Sequence, residues 1–190
     1  MTKDSKPTGS KPAASESGGS FWVLLAVLAV GAVILIKLQG GRAEPENVYA
    51  GQPLPPLHVA GWLNTNRPLT TADLQGKVVL VDYWATWCGP CVRGIPGLIQ
   101  FNKKFRSAGV LVVGLTSEDG ASAQLVKNFV ETKDGMDWPI GYGADQTFLM
   151  MGVEKIPRYM LYDRSGTCVW GGISLDGIEQ AAVAALAEKK

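Results

Sequence analysis

The stretch Lys77-Val78-Val79-Leu80-Val81-Asp82-Tyr83-Trp84-Ala85-Thr86-Trp87-Cys88-Gly89-Pro90-Cys91 decides how this chain folds. Its first half, Lys77 to Tyr83, is apolar without alternation. That pattern predicts a strand covered on both faces, as in the middle of a parallel sheet. Pro90 suits a first helical turn, and a helix is expected from there to about Arg106. Cys88 and Cys91 therefore stand where a strand hands over to a helix. At that edge the unpaired backbone N–H groups and the helix dipole favour a negative sulfur. An ordinary cysteine, with a pKa near ~8.5, is mostly protonated at neutral pH. Cys88 is accordingly expected to attack as a thiolate, and Cys91, one turn further in, to resolve the mixed disulfide. Gly89 lets a partner's backbone come close, and Pro90 stiffens the turn.

Asp82 is the second informative residue of the stretch. A carboxylate inside a strand buried on both faces is costly unless it is protonated or has a task. A raised pKa suits a proton acceptor for Cys91. The plainer alternative is a bent strand end that leaves Asp82 in solvent. A C-x-x-C pair has its own competing use as half of a zinc site, which would need Cys168 and His58. These lie far apart in sequence and no second closely spaced pair exists, so no metal is expected.

Further along, Val110 to Leu115 predicts a second buried strand, and Leu125, Val126, Phe129 and Val130 have helical spacing over about 121–132. A short helix is expected over Asp145 to Met151. Arg158 to Tyr162 and Thr167 to Trp170 read as strands joined by the turn Asp163-Arg164-Ser165-Gly166. Leu175, Ile178, Ala182 and Leu186 mark one face of a terminal helix. Before the central stretch, Leu57 to Trp62 reads as an edge strand, because Pro53, Pro55 and Pro56 keep it from lying centrally. Thr70 to Leu74 reads as a capped helical turn closed by Gly76. The order βαβα, then ββα, predicts an α/β fold with a mixed central sheet and helices on both faces.

The N-terminus has a different composition. Residues 1–20 are rich in Lys, Ser, Gly and Pro and read as a disordered tail. The uncharged run from Phe21 to Ile36, extended by Lys37 and Leu38, reads as a single transmembrane anchor over 21–38. Residues 39–50 read as a linker, and 51–190 as one globular domain. Lys3, Lys6 and Lys11 ahead of the run favour an inside N-terminus and a domain outside the cytoplasm. A net charge of +1 gives no reason to expect a nucleic-acid surface. Three cysteines are too few for a disulfide-stapled scaffold. Cys168, among apolar neighbours, reads as a buried structural thiol.

Val81 to Cys91 resembles the active-site segment of thioredoxins, and Ile156-Pro157 resembles their cis-proline loop. The resemblance runs from about Val48 to the C-terminus. With its N-terminal anchor, leading edge strand and long segment Ser117 to Asp145, the chain resembles the membrane-anchored TlpA-like branch. It implies a thioredoxin-like fold, with Pro157 cis and facing the cysteine pair. Ile156 would offer its backbone to an extended partner peptide, and Trp87 would form the apolar contact beside Cys88. It also implies a protein-disulfide substrate, a transmembrane or thioredoxin-type electron donor, and a periplasmic-side location. Members of the branch often serve cytochrome c maturation. Gly94 departs from the glutamate many of them carry at that position, and Asp82 is a residue they often lack. The Gly-Pro dipeptide resembles the reducing members of the wider family, near ~−270 mV, rather than oxidants near ~−120 mV.

The expected activity is a membrane-anchored thiol–disulfide oxidoreductase reducing protein disulfides, with no cofactor beyond its own dithiol. A tethered module that captures partners without turnover is the alternative from another class. A thiol peroxidase fits less well, because Ala85 stands where that family resembles a Thr or Ser.

Overall fold

The computed structural model describes residues 22–23, 25–31 and 48–188. The chain divides into two units, Met1–Ala43 and Glu44–Lys190. In the first, residues 22–23 and 25–31 are helical, and Trp22, Val23, Leu25, Val27, Leu28 and Val30 are exposed. The whole of the expected tail, the rest of the expected anchor and most of the expected linker lie outside the described residues. Among the described residues no helix is long and apolar enough to cross a membrane.

The second unit is built on a six-stranded sheet. In chain order it runs β1 (Gly61–Leu63), α1 (Thr71–Leu74), β2 (Val78–Trp84), α2 (Gly89–Phe105), β3 (Val110–Thr116) and α3 (Ala123–Glu131). β4 (Ile140–Tyr142), α4 (Asp145–Met150), β5 (Arg158–Tyr162), β6 (Cys168–Gly172) and α5 (Ile178–Ala187) complete it. The sheet order is β1-β4-β3-β2-β5-β6. β2, β3 and β4 are parallel, while β1, β5 and β6 pair antiparallel with their neighbours. This is the thioredoxin-like arrangement, a mixed sheet with helices on both faces.

β2 lies between β3 and β5, and every residue of it is buried, which explains why its sequence does not alternate. Its residues nevertheless sort by face. Val78, Leu80 and Trp84 pack with α2, α3 and α5, whereas Val79, Val81 and Tyr83 pack with Leu74 of α1 and Phe148 of α4. Residues two apart in a strand share a face, so Asp82 points to the α2 side. Burying one Val or Leu side chain contributes about 1.5–3 kcal/mol, and both faces of β2 draw on that.

Three departures from the sequence reading have physical causes. β4 was not expected, because Ile140-Gly141-Tyr142 is three residues long and centred on glycine. It is a strand because β3 on one side and β1 on the other pair with it. Tyr49, placed in the linker by composition, is buried in the α1/α4-side core, and Arg158 stacks over its ring at 5.2 Å. Leu175 precedes α5 rather than lying in it; its Cδ1 would meet a Cβ at Gly97 at 3.1 Å, so it closes onto α2 instead.

Candidate active site

Cys88 and Cys91 are joined in a disulfide, with their Cα atoms 5.2 Å apart. Cys88 is the N-cap of α2, and its Sγ accepts from the Cys91 backbone N–H at 3.2 Å. Pro90 lies in the first turn, where its missing N–H costs nothing. Cys88 is the cysteine that meets the helix N-terminus directly. Cys91 is the more enclosed of the two, at 3 % exposure against 5 %. A Cβ at Gly89 would meet only the mobile end of Arg93, at 3.5 Å, so the helix start is bare.

Asp82 is buried, at 3 % exposure, which overturns the alternative of a solvent-facing strand end. Its Oδ1 has no hydrogen-bond partner among the described residues. Burial alone pushes the carboxyl up to about 8, since a low-dielectric site disfavours the charged form. It therefore changes protonation close to neutral pH. It shares the α2 face of the sheet with Cys88 and Cys91, which pack in the same core cluster as its strand neighbours Leu80 and Trp84.

The loop from β2 to α2 is held from outside. The Thr86 backbone N–H and hydroxyl donate to the two oxygens of Glu118, at 2.8 and 2.5 Å, and the Thr116 hydroxyl donates to the same carboxylate at 2.9 Å. The Glu118 carbonyl accepts from Gly143 N–H at 2.6 Å. Glu118 thus ties the active-site loop to the end of β3 and to the turn after β4. Sequence reasoning missed it, because a single acid beyond a strand carries no spacing signal. Thr86, inside the motif, was the only pointer.

The Ile156-Pro157 peptide is cis. Two grooves flank this segment. One, of about 310 Å³, is lined by Trp87, Phe148, Leu149, Val153, Glu154 and Ile156 among others. The other, of about 320 Å³, is lined by Pro90, Arg93, Gly94, Pro157, Tyr159 and Leu175 among others. Trp87 is 71 % exposed beside Cys88, and Leu149 is exposed on the far side of its groove. The structure thus gathers Cys88, Cys91, Trp87, Gly89, Pro90, Ile156 and Pro157 at one end of the sheet, with Asp82 below. It does not gather the zinc alternative: Cys168 packs in the core on the opposite face, where burial pushes its thiol up to about 11.

Residues 49–181 match the Redoxin family. The thiol–disulfide oxidoreductase ResA of Bacillus thuringiensis (strain Al Hakam) is 29 % identical over 150 residues, covering 78 % of this chain and 84 % of that protein. A thiol:disulfide interchange protein of the thioredoxin family from Chlorobium tepidum TLS superposes with a TM-score of 0.60 at 26 % identity, covering 72 % of this chain and 97 % of its own. A thiol-disulfide isomerase from Corynebacterium glutamicum does so with a TM-score of 0.62 at 25 % identity, covering 72 % and 97 %. With its dithiol at the start of α2 and its thioredoxin-like sheet, the chain belongs to the Redoxin family.

Proposed function

We propose that this chain is a membrane-anchored thiol–disulfide oxidoreductase that reduces protein disulfides through Cys88 and Cys91. The observation that carries this is a dithiol at a helix N-terminus with a buried carboxyl, Asp82, on the same sheet face, its Oδ1 without a hydrogen-bond partner among the described residues. The resemblance of the chain to proteins named for thiol–disulfide exchange supports it.

The reaction begins from the reduced pair. The Cys88 thiolate attacks one sulfur of the substrate disulfide, forming a mixed disulfide and releasing the first substrate thiolate. Cys91 gives its proton to the Asp82 carboxylate and attacks Cys88 Sγ. The Cys88–Cys91 disulfide forms, the second substrate sulfur leaves, and each released thiolate takes up a proton. Two electrons pass to the substrate. A dithiol donor of thioredoxin or transmembrane type returns them by the reverse exchange. In that direction protonated Asp82 supplies the proton to Cys91 as it leaves.

The two grooves beside Ile156 and Pro157 fit an extended peptide lying across Cys88, with Trp87 against its apolar side chains. The exposed apolar side chains between Trp22 and Val30 support an anchor over 21–38. The lysines ahead of it support a domain on the outer, periplasmic side.

The test is reduction of insulin disulfides by the full chain with dithiothreitol as donor. Catalysis that disappears in Cys88→Ser is expected. Stoichiometric capture of insulin without turnover would identify a binding module instead. Cys91→Ser should hold substrates on Cys88 as mixed disulfides.

A further inference from the structure

Gly94 and Gly97 lie one turn apart in the middle of α2, where glycine is unfavourable relative to alanine. The packing explains both. A Cβ at Gly97 would press on Leu175, and a Cβ at Gly94 would lie 2.6 Å from the Tyr159 hydroxyl. The other atom of Tyr159 near that position is Cζ, at 3.8 Å. The phenol therefore fills the space that a side chain at position 94 would occupy.

Tyr159 is also the cross-strand partner of Asp82 in the β2–β5 pair, so the two side chains stand side by side on the α2 face. Tyr159 thus has Asp82 on one side, and on the other it lines the 320 Å³ groove beside Pro157. On the β3 side the partner of Asp82 is Gly114, whose open face is covered by Ile140 and the indoles of Trp84 and Trp138. From α2 come Cys91 and Cys88, and from α3 and α5 apolar side chains, among them Val126, Val130, Ile178 and Ala182. Burial is the sole cause of the Asp82 shift, so among the described residues no charged side chain acts on it; the titratable groups placed beside it are Tyr159 and, once the disulfide opens, the two cysteines, with Arg93 on the groove. Burial and then the Asp82 charge hold the Tyr159 phenol well above its ordinary value, so it stays neutral throughout.

We propose that Tyr159 is the positioning residue for the proton acceptor: its ring seals Asp82 from the substrate groove, and its hydroxyl requires glycine at position 94. The proposal deepens the function given above, since a sealed Asp82 matters to catalysis only if it takes the proton of Cys91. The ring does the sealing, and the hydroxyl sets how closely α2 approaches. The two atoms of Tyr159 near Gly94 make the pairing separable by mutation. Gly94→Ala in the native background drives its methyl into the hydroxyl and must displace the ring. The same change in a Tyr159→Phe background meets ring carbon at an ordinary contact distance.

The experiment follows the Asp82 carboxyl carbon by NMR against pH, in the oxidised full chain in detergent. The native midpoint is expected near 8. Tyr159→Phe keeps it within about 0.3 units, because the wall remains. Tyr159→Ala admits water and lowers it by about one unit or more toward the ordinary carboxyl value. Gly94→Ala lowers it by about half a unit or more, and Gly94→Ala with Tyr159→Phe returns it to within about 0.3 units of native. A native midpoint near 4, an unchanged midpoint in Tyr159→Ala, or equal shifts in Gly94→Ala and the double variant would each overturn the seal. If Tyr159→Ala does not fold, Gly94→Ala and its rescue decide alone. The pH dependence of Cys91 attack is measured alongside. Midpoints that move as expected while that dependence does not would uphold the seal and remove Asp82 as acceptor.

Discussion

Asp82 and Glu118 are carboxyl groups near the ends of two adjacent parallel strands, β2 and β3, and the fold treats them in opposite ways. Glu118 is half-buried, and both of its oxygens accept hydrogen bonds, from Thr86 and Thr116. Asp82 is buried and its Oδ1 has no partner among the described residues. A carboxylate supplied with donors holds its neighbours in place. One denied them gives up its charge near neutral pH and becomes able to move a proton. Glu118 therefore positions the active-site loop, while Asp82 has the proton-handling task in the proposed reaction.

Asp82→Asn should show the largest effect, and it acts on stability as well as rate. In the unfolded chain this carboxyl titrates near ~3.9; in the folded chain it titrates near 8. Between those values the folded state holds a proton that the unfolded state has released. Stability therefore falls as pH rises from ~4 to 8, with no penalty below that window and the full penalty above it. Asp82→Asn should be more stable than the native chain by on the order of 5 kcal/mol at pH 9 and by little at pH 4, read from urea unfolding at both pH values. Equal gains at both would mean that Asp82 is not held neutral by the fold.

Glu118→Ala should do the reverse. Removing the acceptor leaves Thr86 N–H and two hydroxyls unpaired, a loss of about 2 kcal/mol. Disulfide reduction should slow by about tenfold as the loop loosens, since small misplacements at a reacting centre cost that much or more. Its pH profile should keep the native midpoint. A shifted midpoint would show that Glu118 shares the proton-handling task and would dissolve the contrast between the two acids.

The smallest effect concerns Trp87, carried on the loop that Glu118 ties down. Trp87→Ala should raise KM for a protein disulfide several-fold and leave stability within about 0.5 kcal/mol, because the indole is 71 % exposed. A comparable loss with a small-molecule disulfide would argue against a role in protein contact.

Much of this was legible in sequence, for identifiable reasons. β2 declared itself by a nearly unbroken apolar run, and the dithiol by its place around Pro90 at the start of a helix. The buried position of Asp82 followed from that same run. The contact between Tyr159 and Gly94 escaped notice, because it is made across a strand and a helix with no shared period. Glu118 escaped for a like reason, since Thr86, the partner that ties it to the active-site loop, lies a strand away. The short β4 escaped because a central glycine hides a strand whose stability comes wholly from its neighbours.

The central claim is that Asp82 takes the proton of Cys91. The most direct measurement is stopped-flow reaction of the reduced chain with an aromatic disulfide whose released thiol is coloured, so that attack by Cys88 and then by Cys91 appear as two phases. In the native chain the rate of the second phase should rise with pH through a midpoint near 8. In Asp82→Asn that inflection should vanish while the first phase is little changed. An identical inflection in both chains, or equal slowing of both phases, would contradict the account.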